Sequence, residues 1–195
     1  MKKLALFDFD GTITTHDSFR EFLLYSFGWR SFVAAVLLHV PHFFLYSIGF
    51  FSNHSLKERF STYFFKNMSI SEFEQLAQKF VVKRLTKIVR PSAMKKMLSH
   101  IKDGDRVVVV SASFEDYLKH WCQMQGIELI ATKLEHSNGA YTGNILGKNC
   151  WGEEKVERIK QILDLNEYEK VYAYGDSRGD REMFSIADET GYRIF

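Results

Sequence analysis

The sequence predicts an α/β fold with a mainly parallel sheet and one helical segment inserted after the first strand. Short apolar runs such as Leu4 to Phe7 and Val107 to Val110 show no alternation, which is typical of strands covered on both faces. In the second half of the chain, helical patterns lie between such runs, and this order favours right-handed crossovers and parallel strands. At 195 residues the chain is long enough for one sizeable core with a modest insertion.

The first strand runs directly into two carboxylates, in Asp8-Phe9-Asp10-Gly11-Thr12. A side-chain period of two places Asp8 and Asp10 on the same side while the strand geometry lasts. Gly11 allows the chain to turn or to approach a ligand closely. The simplest alternative is an acidic turn, but a buried strand that delivers two carboxylates to one edge of a sheet is unusual for structure alone.

The helical segment spans roughly Asp17 to Arg90. Ser55-x-x-Glu58 and Ser71-x-x-Glu74 have the pattern of capping boxes. After Ser71 the apolar residues recur at helical spacing and are expected to face a core; they are Phe73, Leu76, Ala77, Phe80, Val81, Leu85 and Ile88. This helix is expected to end before Pro91.

The apolar run Phe32 to Phe51 is long enough for a membrane span. A single span would however separate Asp8 from the later polar strand ends, and Pro41 predicts two short helices instead of one. Three interpretations remain open: a buried helical hairpin, which we favour, an apolar surface in peripheral contact with a membrane, and a homodimer interface. A metal site at His39 and His42 is disfavoured because the run has no acidic partner.

The alternating pattern resumes after Pro91. Helices are expected near 92–102, 114–125, 153–163 and 180–186, and strands near 106–110, 128–132, 170–174 and 192–195. Asn138-Gly139 predicts a β-hairpin turn within 134–142. Because ligands of such sheets bind beyond the carboxyl ends of the strands, we expect Asp8, Ser111 and Asp176 to meet at one site.

Composition excludes some functions. The net charge is +2 and the basic residues are dispersed, so the sequence does not indicate a nucleic-acid-binding surface. Cys122 and Cys150 lack metal-ligand spacing and are expected to be reduced. Met1-Lys2-Lys3 leads into the first strand without a signal-peptide pattern. We therefore expect a cytoplasmic protein, with a peripheral position at the inner face of the membrane as the alternative.

Four motifs in order resemble those of the haloacid dehalogenase superfamily. They are Asp8-Phe9-Asp10-Gly11-Thr12, Ser111 after Val107 to Val110, Lys155, and Gly175-Asp176-Ser177-Arg178-Gly179-Asp180. The wholly helical insertion is similar to that of the phosphoserine phosphatase-like branch, subfamily IB. The resemblance covers essentially the whole chain. It implies a Rossmann-like core of residues 1–16 and 91–195 and a helical cap of residues 17–90.

The resemblance also implies a Mg²⁺-dependent phosphatase. Asp8 would be the nucleophile that forms an aspartyl-phosphate, and Asp10 would be the general acid and base. The Asp8 carboxylate, the Asp10 backbone carbonyl and Asp176 would bind Mg²⁺, with Asp180 supporting the site indirectly. Phosphate oxygens would be held by Ser111, the backbone N–H of Ala112 and Lys155.

The substrate implied first is a small phosphomonoester. In the resembled branch an acidic residue and a cap arginine hold phosphoserine, and Asp17 and Arg59 lie at matching positions. One alternative is phosphatidylglycerophosphate, the substrate of bacterial enzymes in this branch that carry strongly apolar caps. A further alternative is a non-catalytic phosphate-binding module, which predicts loss of a motif carboxylate; none is lost.

Overall fold

The computed structural model describes residues 2–195; Met1, where the predicted core segment begins, lies outside the described residues. Six strands form one sheet in the order β4-β3-β2-β1-β5-β6. Their bounds are β1 Lys2–Phe7, β2 Arg106–Phe114, β3 Glu128–Ser137, β4 Ala140–Leu146, β5 Tyr168–Gly175 and β6 Glu189–Tyr192. All neighbours pair in parallel except β3 and β4. The predicted α/β fold is confirmed.

The central strands are covered on both faces. In β1, Leu4 and Leu6 pack into one apolar cluster while Ala5 and Phe7 pack into another on the opposite face, as the side-chain period of a strand requires. Helices α5 Pro91–Lys102, α6 Glu115–Gln125, α7 Glu153–Ile162 and α8 Arg181–Ser185 follow in the second half of the chain. This Rossmann-like arrangement brings the carboxyl ends of β1, β2 and β5 together at one edge.

The segment between β1 and α5 is helical, as predicted. It comprises α1 Ser18–Ser47, α2 Asn53–Phe65 and α3 Ile70–Phe80, followed by a π-helical turn Val81–Leu85 and the short α4 Thr86–Ile88. The N-caps of α2 and α3 are Ser52 and Ser69, and each hydroxyl accepts a hydrogen bond from the backbone N–H three residues later. The capping boxes predicted at Ser55 and Ser71 were therefore placed too late in the chain. The division into a core (1–16 and 91–195) and a cap (17–90) stays a prediction.

Helix α1 does not break where the sequence predicted. It continues through Pro41, and its non-helical residue is Gly28, with φ 78° and ψ 164°. Pro41 has no N–H to donate to the carbonyl oxygen of Leu37, four residues earlier. The helix tolerates this loss because Leu37 is exposed, so water can take the place of the missing donor. Gly28 instead supplies a positive φ that residues with a side chain rarely adopt.

The apolar run on α1 is not buried, and the favoured interpretation as a buried hairpin is wrong. Among the described residues, α1 is the one helix that is long enough and apolar enough to cross a membrane, judged by length and composition alone. Only a narrow strip of its second half, including Ala35 and His39, is buried. Helix α2 covers one side of α1 and leaves the other side open.

A β-hairpin ties the helical segment to the sheet. Asn138 and Gly139 both have positive φ at the β3–β4 turn, which confirms the predicted hairpin. The hydroxyl of Ser61 on α2 donates to the Gly143 carbonyl oxygen on β4 at 2.7 Å. A Cβ at Gly143 would lie 2.3 Å from the Cα of Thr62, so only glycine allows this approach. The contact fixes α2 above the carboxyl ends of the strands.

Candidate active site

A buried cluster of opposite charges lies beyond the carboxyl end of β1. The Lys155 ammonium donates to Asp8 Oδ1 and to Asp180 Oδ1, both at 2.6 Å. Lys155 projects from the first turn of α7, whereas Lys160 on the same helix is exposed. The structure thus brings together three of the residues predicted from the sequence, Asp8, Lys155 and Asp180.

The cluster keeps an excess of negative charge. Burial raises the pKa of Asp8 to about 7; Lys155 opposes this rise, and the charge of Asp180 adds to it. Burial, and then repulsion from Asp180, also raise the pKa of Asp176. One lysine does not neutralise three carboxylates, so a bound cation would relieve the crowding.

The donor set fits Mg²⁺. Asp8, Asp176 and Asp180 each offer an oxygen, and these oxygens lie within 4.8 Å of one another. Both Asp180 oxygens already accept hydrogen bonds: Oδ1 from Lys155, and Oδ2 from the N–H of Asp176 and from the N–H and hydroxyl of Ser177. Asp8 and Asp176 keep free lone pairs, and hard carboxylate oxygens are the ligands that Mg²⁺ prefers.

Gly11 makes room beside these carboxylates. It has φ +82°, and a Cβ there would lie 2.4 Å from Asp176 Oδ2. Thr12, next in the chain, donates to Asp8 Oδ2 or Asp176 Oδ1, each at 3.4 Å. The turn after β1 is therefore shaped to admit the Asp176 carboxylate.

Asp10 is held in place by two donors. The N–H of Ser18 lies 2.6 Å from Asp10 Oδ1, and the hydroxyl of Ser113 lies 2.5 Å from Oδ2. Burial raises the pKa of Asp10 to about 6, repulsion from Asp17 adds to the rise, and the hydrogen bonds from Ser113 and Ser18 oppose it. A carboxyl group that titrates near neutrality can both give and take a proton.

Ser111 and Ala112 lie at the end of β2. Ser111 is fully buried, and its hydroxyl oxygen accepts from the N–H of Ser113 at 3.0 Å. Ala112 and Ser113 both line a cleft that lies above the carboxylates, between α2 and the strand ends. On this strand the hydroxyl that contacts Asp10 belongs to Ser113, to which the sequence analysis gave no role.

Lys57 is a second residue that sequence reasoning missed. It reaches down from α2, and its ammonium donates to the Ala112 carbonyl and to Asn149 Oδ1. It also lies 4.3 Å from the centre of the Phe114 ring. Burial lowers the pKa of Lys57 to about 8, although Asp10 and Asp17 oppose this shift. A signal was present: Lys57 precedes Phe60 and Phe64 at helical spacing, and a lysine on an apolar helix face is uncommon.

Asp17 and Arg59 are not brought together. Asp17 borders the cleft, but its Oδ1 caps α1 by accepting the N–H of Arg20 at 2.7 Å. Arg59 faces away and stacks over Phe51 at 5.2 Å, beside a separate pocket. Two residues correspond to about 200° around a helix, so Arg59 and Lys57 point to different sides of α2. Arg59 therefore does not line the cleft, where the sequence analysis placed it, and its role as a substrate ligand stays a prediction.

The cleft between α2 and the strand ends has a volume of about 570 Å³. Its floor is polar and contains Asp8, Asp10, Ser113 and Lys155. Its roof is apolar and comes from α1 and α2, through Phe19, Leu23, Phe32, Phe43, Leu56 and Phe60. An anionic group therefore fits at the floor and an apolar group fits under the roof.

Comparisons with known proteins agree with this architecture. Residues 5–185 match the family model described as haloacid dehalogenase-like hydrolase. Protein CicA of Caulobacter vibrioides (strain NA1000 / CB15N) is 36% identical over 98% of this chain and 86% of the relative. A histidinol-phosphatase of Neisseria meningitidis serogroup C is 28% identical over 97% of this chain and 89% of its own length. A solved phosphoserine phosphatase, described as a phospho-aspartyl intermediate analogue, shares the fold with a TM-score of 0.67 and 22% identity, over 99% of this chain and 88% of that one.

The match extends over most of the chain, from β1 to α8, and includes all four sequence motifs. The order of the strands and the meeting of Asp8, Lys155, Asp176 and Asp180 at one edge are independent of that match. On both grounds, this chain is an enzyme that belongs to the haloacid dehalogenase-like hydrolase family.

Proposed function

We propose that this hydrolase cleaves phosphomonoesters through an aspartyl-phosphate formed on Asp8, with Mg²⁺ as its cofactor. The observation that carries the proposal is the pairing of Asp8, held by Lys155 at 2.6 Å, with Asp10, held by Ser18 and Ser113. Lys155 opposes the rise in the pKa of Asp8 that burial causes, and Asp10 titrates near neutrality. The names of the histidinol-phosphatase relative and of the phosphoserine phosphatase with similar fold support this reaction class.

In the first step an Asp8 carboxylate oxygen attacks phosphorus, and the bond from phosphorus to the ester oxygen breaks. Asp10, in its protonated form, gives its proton to the departing alcohol. Lys155 holds Asp8 Oδ1, which leaves Oδ2, beside Thr12, for the attack.

In the second step water attacks phosphorus and the bond from phosphorus to Asp8 breaks. Asp10, now ionised, takes the proton of the attacking water and returns to its starting form. Inorganic phosphate leaves, and the Asp8 carboxylate is restored beside Lys155.

Mg²⁺, held by Asp8, Asp176 and the Asp10 backbone carbonyl, would neutralise charge on the phosphoryl oxygens. Asp180 positions Lys155 and the N–H groups of Asp176 and Ser177. Ser111 and Ala112 lie near the end of β2, and Lys57 reaches the Ala112 carbonyl from α2. We assign the first two to the phosphate oxygens and Lys57 to an anionic group that enters beneath α2.

The substrate we favour is a phosphomonoester whose alcohol part is largely apolar. The phosphoserine interpretation assigned the substrate to Arg59, which lies outside the cleft. The arginine that lines the cleft is Arg20 on α1. The residues of α1 and α2 above the phosphate site are instead mostly Phe and Leu. Small metabolites with an aromatic or aliphatic group fit this roof. The second candidate, a lipid phosphomonoester such as phosphatidylglycerophosphate, is supported by the same apolar roof. A cytoplasmic location stays a prediction from the sequence.

The experiment is Mg²⁺-dependent release of phosphate from a panel of substrates. The panel contains phosphoserine, histidinol phosphate, p-nitrophenyl phosphate, sugar and nucleotide monophosphates, and phosphatidylglycerophosphate in mixed micelles. Borohydride reduction during turnover, followed by peptide mass analysis, traps an acyl phosphate at residue 8.

We expect turnover that EDTA abolishes and a trapped adduct at Asp8. Asp8→Asn should show neither, while its circular dichroism stays that of the wild type. A variant Asp8→Asn that turned over at the wild-type rate would refute the nucleophile. A clear preference for phosphoserine over every apolar ester would refute the substrate class.

A further inference from the structure

We propose that one side of α1 binds the surface of an anionic lipid bilayer. This apolar face consists of exposed residues on α1 and in the turn after it: Trp29, Val33, Leu37, Val40, Phe44, Ile48 and Phe50. Leu37 and Phe44 are 67% and 64% exposed. Contiguous apolar surface of this kind marks a site of interaction with a protein or a membrane.

The residues of the apolar face lie on one side of the helix. From Trp29 to Phe44 they are separated by four, four, three and four positions, which is the spacing of a single stripe. The opposite side of α1 faces the protein through Ala35 and His39, which are buried. Helix α1 is therefore attached along its length and lies flat on the molecule. It can rest on a bilayer without crossing it, because crossing would expose Ala35, His39 and the cleft residue Phe32.

The charges around the apolar face complement an anionic surface. Residues 31–56 contain no Asp, Glu, Lys or Arg. Arg30 directly precedes this segment and stacks over Trp29 at 5.6 Å. After the segment, Lys57 points into the cleft and Glu58 accepts from the N–H of Ile145, whereas Arg59 stacks over Phe51 at 5.2 Å. Within residues 2–195 neither arginine forms an ion pair. A tryptophan and free arginines beside an apolar surface suit the boundary between headgroups and acyl chains.

A second copy of the chain is a poorer occupant. In a twofold dimer the same patch meets itself, so the apolar face and its free Arg30 and Arg59 would meet a surface that carries the same two positive charges. The apolar face contains no carboxylate to neutralise them. An anionic bilayer supplies negative headgroups for the two arginines, and its acyl chains accommodate the apolar side chains.

The position of the face also relates to the cleft. Phe32 and Phe43, on the same helix, contribute to the cleft roof. A bilayer bound to α1 would therefore lie beside the cleft, and a lipid phosphomonoester could reach it. This last consequence rests on the proposed function, whereas the binding of the bilayer does not.

The test is sedimentation of the full-length protein with vesicles of phosphatidylcholine containing phosphatidylglycerol, compared with phosphatidylcholine alone. Leu37→Glu/Phe44→Glu places two charges in the apolar face. The matched control is Leu98→Glu/Ile162→Glu, at similarly exposed positions on α5 and α7 (55% and 58%). Arg30→Gln/Arg59→Gln removes the flanking charges.

We expect the wild type and the control to sediment with the anionic vesicles, and Leu37→Glu/Phe44→Glu to lose about tenfold or more in partitioning. The arginine variant should bind more weakly and with less dependence on salt. Absence of wild-type binding at low salt, or equal binding by Leu37→Glu/Phe44→Glu, overturns the proposal. So does a wild-type dimer in light scattering that this variant converts to a monomer.

Hydrolysis of p-nitrophenyl phosphate by the same variants separates the two proposals. It should be unchanged in Leu37→Glu/Phe44→Glu, because neither side chain lines the cleft. Vesicle binding without any hydrolysis by the wild type would refute the proposed function and leave the binding surface intact.

Discussion

Replacing Lys155 by methionine should destabilise the protein strongly. The lysine side chain is 1% exposed, and its ammonium bonds Asp8 and Asp180 at 2.6 Å each. Methionine keeps much of the length and removes the charge, so two carboxylates are left buried without their counter-ion. Loss of one partner from a buried ion pair costs about 3 to 5 kcal/mol. We expect the free energy of unfolding to fall by that amount.

Urea denaturation in EDTA measures this effect without compensation by metal. The midpoint should fall while the slope with denaturant stays constant, since the surface exposed on unfolding is nearly the same. The control is Lys160→Met, five residues later on α7, where the side chain is exposed. Its free energy of unfolding should stay within about 0.5 kcal/mol of the wild type.

A loss below about 1 kcal/mol for Lys155→Met would refute the reasoning. It would mean that the two ion pairs gain no more than surface pairs do, and that Lys155 does not hold the Asp8 carboxylate in solution. Turnover supplies a second readout, because the variant should lose phosphatase activity even at urea concentrations where it remains folded.

Three further predictions concern the cleft. Asp10→Asn should lower kcat/KM, which reports formation of the aspartyl-phosphate, by about 10² to 10⁴ for an alkyl phosphate but less for p-nitrophenyl phosphate, whose leaving group needs no proton; equal losses in kcat/KM would remove the acid role. The Lys57 side chain, with its pKa lowered by burial to about 8, is charged below that pH and neutral above it, so kcat/KM should fall as the pH rises through about 8. In Lys57→Arg this fall in kcat/KM near pH 8 should be absent. If it persists, another group is responsible for the fall. Gly11→Ala pushes against Asp176, 2.4 Å from the new Cβ, and should raise the Mg²⁺ concentration for half-maximal activity. Gly104→Ala has the same positive φ with open space around it and should leave that concentration unchanged.

The sequence determined the fold class and the chemical core of the site. Asp8, Ser111 and Asp176 follow apolar runs, and the topology of a parallel sheet brings the carboxyl ends of such strands to one edge. The position of Lys155 among competing lysines came from its place in a motif. These features are local in sequence, so a pattern of a few residues was enough to predict them.

Tertiary structure alone decided what the helices of the inserted segment present to the cleft. Helix α2 carries aromatic residues on several sides, including Phe60, Tyr63 and Phe65, so the pattern did not reveal which side faces the core. The rotation of α2 about its own axis decides which side faces the core, and it places Lys57 inside the cleft and Arg59 outside it.

The same reason explains the error at α1. A helix that is apolar on every side gives no internal signal of which side is covered. Packing against α2 buried the strip with Ala35 and His39 and left Leu37 and Phe44 exposed. The carboxylates of the candidate site and Lys155 were therefore predicted from the sequence alone. The surfaces that we propose for the substrate and for a membrane depend on the packing of the helices, because burial depends on contacts between residues far apart in the chain.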